Sequence, residues 1–220
     1  MKSLMFLNVL LLFLVGCQSS TTDREPIAWA SGIEILRGQS QVRVPAVVLL
    51  RSGWLEQAVC TPETRTHESV FAILAEPSEL HAALLVAGGL PGEPGAPAHL
   101  DNPAQPPTGS LLHIAMEHEG HLQRLQDLIV DDRTGGSLQG DFVFAGSRLV
   151  EWKGETRYLA DDEGSVVGLA TFGDELAGYS EARSASLEHA PAVFRPNATD
   201  LPPPGTTVVL CFTVNPADEG

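Results

Sequence analysis

From Ile33 to Val214 the apolar residues arrive in short runs rather than in long helical stripes, and this limits the fold more than any other feature of the chain. The segments "IEIL" (33–36), "VRVPAVVLL" (42–50), "WLEQAVC" (54–60) and "HESVFAIL" (67–74) are rich in β-branched and aromatic residues and are bounded by Gly, Ser, Thr and Pro. That is the pattern of strands between turns. Pro45 marks a bulge or an edge in the second run. After Gly109 the pattern resumes: "SLLHIAMEHE" and "HLQRLQDLIV" flank Gly120 as a hairpin would, and "DFVFAGSRLVEW", "TRYLA", "SVVGLATF" and "TTVVLCFTV" follow.

One segment departs from this pattern. "EPSELHAALLVAGG" (76–89) has Pro77 at a first helical position, Glu79 at the positive end of the dipole and Gly88 or Gly89 as a stop. Leu80, Ala83, Leu84 and Ala87 share one face at helical spacing. The spacing predicts a helix over about 77–88 that packs on a sheet. A long Pro/Gly-rich connector follows over 89–109, and 173–205 reads as irregular and polar. The expected fold is α+β, mainly antiparallel β-sheet with this one prominent helix.

The start of the chain bears on location. "MKSLMFLNVLLLFLVGC" places Lys2 before an apolar run from Leu4 to Val15 that Asn8 interrupts. The run is shorter than the roughly 18 residues a spanning helix needs and fits a secretory signal. Leu14-Val15-Gly16-Cys17 resembles the bacterial lipoprotein cleavage box, in which the cysteine is acylated and becomes the new N-terminus. The expected organisation is a signal peptide at 1–16, a polar tether at 17–28 and a single domain at 29–216. Acyl chains contribute about 0.8 kcal/mol per buried methylene, enough for a multiply acylated Cys17 to hold the domain at a membrane. The domain would then face the periplasm. Gln18, rather than Asp, follows Cys17, which favours the outer membrane.

The formal net charge of -15 repels nucleic acid and anionic headgroups, and loss of Lys2 with the signal would deepen it by one. The remaining cysteines, Cys60 and Cys211, lie in strand-like runs in a compartment that permits disulfides. They could form a bridge or stay as two buried thiols, and Cys60 could also be reactive.

Four stretches carry a family resemblance: "CTPETRTHESVFAILAEPSELHAALLVAGGLPG" (60–92), "GDFVFAGSRLV" (140–150), "LADDEGSVVGLATFGD" (159–174) and "LPPPGTTVVLCF" (201–212). They resemble the YdjY-domain proteins, frequent in planctomycetes as envelope lipoproteins. His67, Glu68, Ser69, Pro77, His81, Ala82, Leu84, Pro91 and Gly92 match the family pattern. The resemblance implies an envelope lipoprotein and no particular reaction. A ferredoxin-like label carried by some members finds no support here, because iron–sulfur clusters normally take four cysteines.

Candidate chemistry centres on Cys60, His67, Glu68 and His81. If 66–74 is a strand, His67 and Glu68 fall on opposite faces, so a chelate of both requires the strand to begin after Glu68. His81 sits at the border of the helix's apolar stripe, where it could brace helix against strand or meet His67. Cys60, His67 and His81 together would make a zinc or copper set, or an imidazole-activated thiolate for a hydrolase. Single histidines at element ends more often pack than react, and this favours no cofactor and a non-enzymatic binding or structural domain. Its expected partners are the membrane, through lipid, and an envelope protein or small ligand. His118-Glu119-Gly120-His121 lacks the zinc-protease spacing and reads as a solvated turn.

Overall fold

A computed structural model describes residues 25–98, 102–181 and 192–215. Its centre is eight strands: β1 (Gln41–Val48), β2 (Gln57–Cys60), β3 (Ser69–Ile73), β4 (Leu111–His118), β5 (Phe142–Phe144), β6 (Ser165–Gly168), β7 (Ala177–Tyr179) and β8 (Thr207–Val214). Their spatial order is β1-β8-β4-β5-β7-β6-β2-β3, and β3 pairs back onto β1 through Ala46↔Ile73, Val47↔Ala72 and Val48↔Phe71. The sheet therefore closes into an eight-stranded barrel.

This corrects the expected α+β architecture of an antiparallel sheet with one prominent helix. The helix exists, as α1 (Pro77–Val86), but it is an accessory to a barrel and is joined by a second, short helix, α2 (Leu159–Glu163). Nor is the sheet wholly antiparallel. The β2–β3 and β6–β7 pairs run parallel, which lets short strands from distant parts of the chain complete the circle. Closure removes the open edges that a flat sheet of this size would have to protect.

Alternation along the long strands decides what fills the barrel. In β1, Val42, Val44, Ala46 and Val48 are buried while Arg43, Pro45 and Val47 face outward or are half-buried. Register places Val44 opposite Leu210 and Val42 opposite Phe212 on β8, and these stand opposite Met116 and Ile114 on β4. One face of three adjacent strands thus supplies a continuous core. Pro45 lies where β1 changes neighbours on one side, between Arg43, paired with Glu34, and Ala46, paired with Ile73. It has no partner on that side, where a missing N–H costs least.

Helix α1 follows its sequence signals closely. Pro77 opens it, Glu76 and Glu79 form a reciprocal capping box, and Gly88 takes φ 97° just beyond the end. Leu80, Ala83, Leu84 and Ala87 are buried, as the periodicity predicts. The hairpin around Gly120 is also present: β4 turns through Glu119 and Gly120, both at positive φ, into His121–Arg124.

Two stretches divide differently from expectation. "DFVFAGSRLVEW" breaks at Gly146 (φ 88°) and Ser147 (φ 54°), so β5 belongs to the barrel while Leu149–Trp152 pairs with Glu155–Tyr158 in a separate hairpin. The stretch 66–74 is a 3-10 turn, Thr66–Glu68, followed by β3 from Ser69. The connector 89–109 is bridged across its two arms at Pro91↔Gly109 and Ala96↔Gln105. The signal, Cys17 and most of the tether lie outside the described residues.

Candidate functional site

A cleft of about 520 Å³ opens where α1, the Leu149–Tyr158 hairpin and the Gly146–Ser147 break meet. Helical spacing puts Ser78, His81, Ala82 and Leu85 of α1 along one wall. Pro91 and Gly92 follow the helix into the floor, and Leu149 and Tyr158, directly opposite in the hairpin register, form the other wall. Leu85 (46 % exposed) and Leu149 (71 %) present apolar surface to solvent at the rim.

The polar feature of the cleft is a fixed imidazole. His81 Nδ1 is 2.8 Å from the Tyr158 hydroxyl, and that hydroxyl donates to the Gly146 carbonyl at 2.8 Å. A phenol has one proton to give. With that proton on Gly146, Nδ1 must itself carry a proton and donate to Tyr158, and Nε2 is left with its lone pair. Burial lowers the His81 pKa, opposed in part by the Gly146 carbonyl, so the ring is neutral and Nε2 is an acceptor. Among the described residues the side-chain hydrogen bond of the ring is the one at Nδ1, and the ring lines the open cleft. Edge-on contacts with Phe144 (4.9 Å) and Tyr158 (5.6 Å) hold the ring in place. Burial pushes the Tyr158 phenol up, so it stays protonated.

Backbone donors around the cleft are already engaged. The N–H groups of Ser78, Gly92, Gly146 and Ser147 donate to Asp161 Oδ1 and to the carbonyls of Phe144, Leu176 and Glu175. Ser147 Oγ donates to the Asp174 carbonyl at 2.6 Å and accepts from Ala160 N–H. The cleft therefore offers an acceptor nitrogen amid apolar surface, without the free pair of N–H donors that an oxyanion needs.

The other residues singled out from sequence sit elsewhere. His67 is in the 3-10 turn with its side chain 78 % exposed, and its Nε2 lies 3.7 Å from Glu68 Oε2. Strand β3 does begin after Glu68, so the two are neighbours, but Glu68 faces Arg65 and Glu56. Cys60 is fully buried in β2 near Ser69 and Thr64, and burial pushes its thiol up. The contacts of the His81 ring run instead to Tyr158 and Phe144. Among the described residues no three His, Cys, Asp or Glu side chains stand together as a metal-ligand set. Cys60 and Cys211 are both free and buried, in place of the bridge that sequence left open. Cys211 faces Arg43 and Glu117, on strand β8, which is not adjacent to β2.

Comparison with protein-family models places a YdjY domain over residues 37–213, which takes in both helices and all of the barrel strands but the last residue of β8. The chain belongs to the YdjY-domain family. No curated protein and no solved structure matches it.

This YdjY domain also holds an acidic cluster around one guanidinium. Arg65 lies 3.1 Å from Asp174 Oδ2 and 3.8 Å from both Glu68 and Glu163, and it stacks over Phe172 at 3.8 Å. Burial raises the Asp174 pKa despite that pair. Burial and the charge of Glu68 push Glu56 up to about 7. Burial also pushes Glu175 to about 7, although its carboxylate accepts from the N–H groups of Phe172 and Gly173. Sequence reasoning missed Tyr158, Gly146 and Ser147 in the cleft. The Gly-Ser step was visible, but nothing local says that Tyr158 returns to His81.

Proposed function

We propose that this YdjY-domain protein is a lipid-anchored, non-enzymatic binding module of the bacterial cell envelope. It takes a small ligand that has an apolar body and one hydrogen-bond donor, and it does so at the His81 cleft. The observation that carries this reading is the Nδ1–Tyr158–Gly146 relay, which leaves His81 Nε2 as an open acceptor between Leu85 and Leu149. An O–H or N–H on the ligand satisfies the nitrogen while its carbon skeleton covers the exposed leucines, at about 25 cal/mol per Å² of apolar surface removed from water. The engaged backbone N–H groups favour binding over acyl transfer.

The envelope setting rests on Leu14-Val15-Gly16-Cys17, with the domain facing the periplasm from the outer membrane. Metabolic labelling with a fatty acid is expected to mark the parent chain and not Cys17→Ala. Label persisting in the variant contradicts the anchor. For the cleft, a small-fragment screen by NMR on the full chain is expected to return ring compounds with one donor, shifting His81, Leu85 and Leu149 resonances. Hits confined to other surfaces contradict the assignment.

A further inference from the structure

We propose a copper(II) site at the tip of the β4 hairpin, independent of the His81 cleft. His118 and His121 are directly opposite one another across the two-residue turn Glu119-Gly120. Positive φ at both turn residues (51° and 78°) gives the tight turn that fixes this register. Directly opposite residues in an antiparallel pair project from the same face with Cβ atoms about 5 Å apart. Two imidazoles so placed can turn a nitrogen each toward a common point about 2 Å away.

That face is also concave. His118 and His121 line a cleft of about 640 Å³ between the hairpin and residues 200–203. The His118 side chain is 30 % exposed and His121 is exposed, so both are reachable from solvent. Met116, two residues before His118 and so on the same face, lines the same cleft from the buried side. Glu119 Oε1 is 3.9 Å from His118 Nε2, and Asp200, bonded to Asn197 Nδ2 at 2.7 Å, stands on the facing segment. The site takes two protein nitrogens, with water in its remaining positions. Imidazole suits copper, and Cu²⁺ binds nitrogen ligands most strongly among the divalent first-row ions. The turn reading of His118-Glu119-Gly120-His121 stands, but the turn itself brings the two rings together.

The test is a titration of the metal-stripped, untagged full chain with Cu²⁺ alone, read by calorimetry and electron paramagnetic resonance. The expected result is one ion per chain with hyperfine coupling to two imidazole nitrogens. His118→Ala and His121→Ala are each expected to weaken binding about tenfold or more, and His67→Ala to leave it unchanged. Melting curves that match the parent show that the variants remain folded, as expected for side chains beside a surface turn. His121→Gln, which keeps a polar side chain of similar reach, is expected to weaken binding to the same extent as His121→Ala. Equal affinity in parent and both His→Ala variants, a single-nitrogen spectrum, or no binding at micromolar chain would each overturn the proposal.

Discussion

His81 Nδ1 and the Tyr158 hydroxyl are 2.8 Å apart, and this contact ties the helix to a hairpin that is remote from it in sequence. Tyr158→Phe removes both the partner of Nδ1 and the donor to the Gly146 carbonyl. The variant is expected to lose about 1 kcal/mol of stability. Nitrogen-15 NMR of the parent should show His81 neutral with its proton on Nδ1, and in the variant that tautomer preference should weaken. A parent ring protonated on Nε2 would contradict the relay.

Arg65 is the cation that Asp174 and its acidic neighbours face. The Asp174 side chain is 8 % exposed, so removing the guanidinium strands a buried carboxylate. Arg65→Met is predicted to cost about 3 kcal/mol, measured by denaturant unfolding at neutral pH. The loss should shrink in acid, where the carboxylates are protonated.

The raised carboxyl groups set a pH dependence. Glu56 and Glu175 move from 4.5 to about 7 in the folded chain. Between those values the folded state holds more protons than the unfolded state, so stability falls as pH rises through that window. Melting temperature is therefore expected to be higher near the bottom of the window than above it. Glu56→Gln should flatten the slope and raise the melting temperature above the window. An unchanged slope in that variant would show that Glu56 does not take up its proton in this window.

Gly109 joins the connector to the barrel at φ 131°, and a Cβ there would overlap the Phe144 carbonyl. Gly109→Ala is expected to destabilise by at least about 3 kcal/mol, from backbone strain and displacement of the β5 backbone. Gly120→Ala, with nothing within 4 Å of its Cβ, bears only the cost of its positive φ (78°). Comparing the two variants by thermal melting separates overlap from strain.

Most strands were legible as β-branched runs, and α1 was legible from Pro77, Glu79 and the spacing of Leu80, Ala83, Leu84 and Ala87. Closure of the barrel was not. It depends on β7, which is only Ala177-Gly178-Tyr179, and such a segment carries almost no strand signal. Gly178 is needed there because Pro107 packs against its backbone, a contact made across the chain by the connector. The pairing of β3 with β1 and the two parallel pairs are likewise non-local. In the site, the border position of His81 could be read from helical periodicity. The return of Tyr158 could not, since it depends on how a hairpin turning at Lys153 and Gly154 docks beside the barrel. Strand alternation does not separate His67 from Glu68, because the chain there is a 3-10 turn and the strand begins at Ser69.

Ligand binding in the cleft depends on the open Nε2 of His81, and a matched pair of probes reads that dependence. Phenol and anisole share a ring, but only phenol carries a donor. Titrated into the full chain and followed by NMR, phenol is expected to shift His81, Leu85 and Leu149 and to bind about tenfold more tightly than anisole. That advantage should vanish in His81→Phe. Equal affinities for the two probes in the parent chain, or phenol binding that leaves the His81 resonances unmoved, would contradict it.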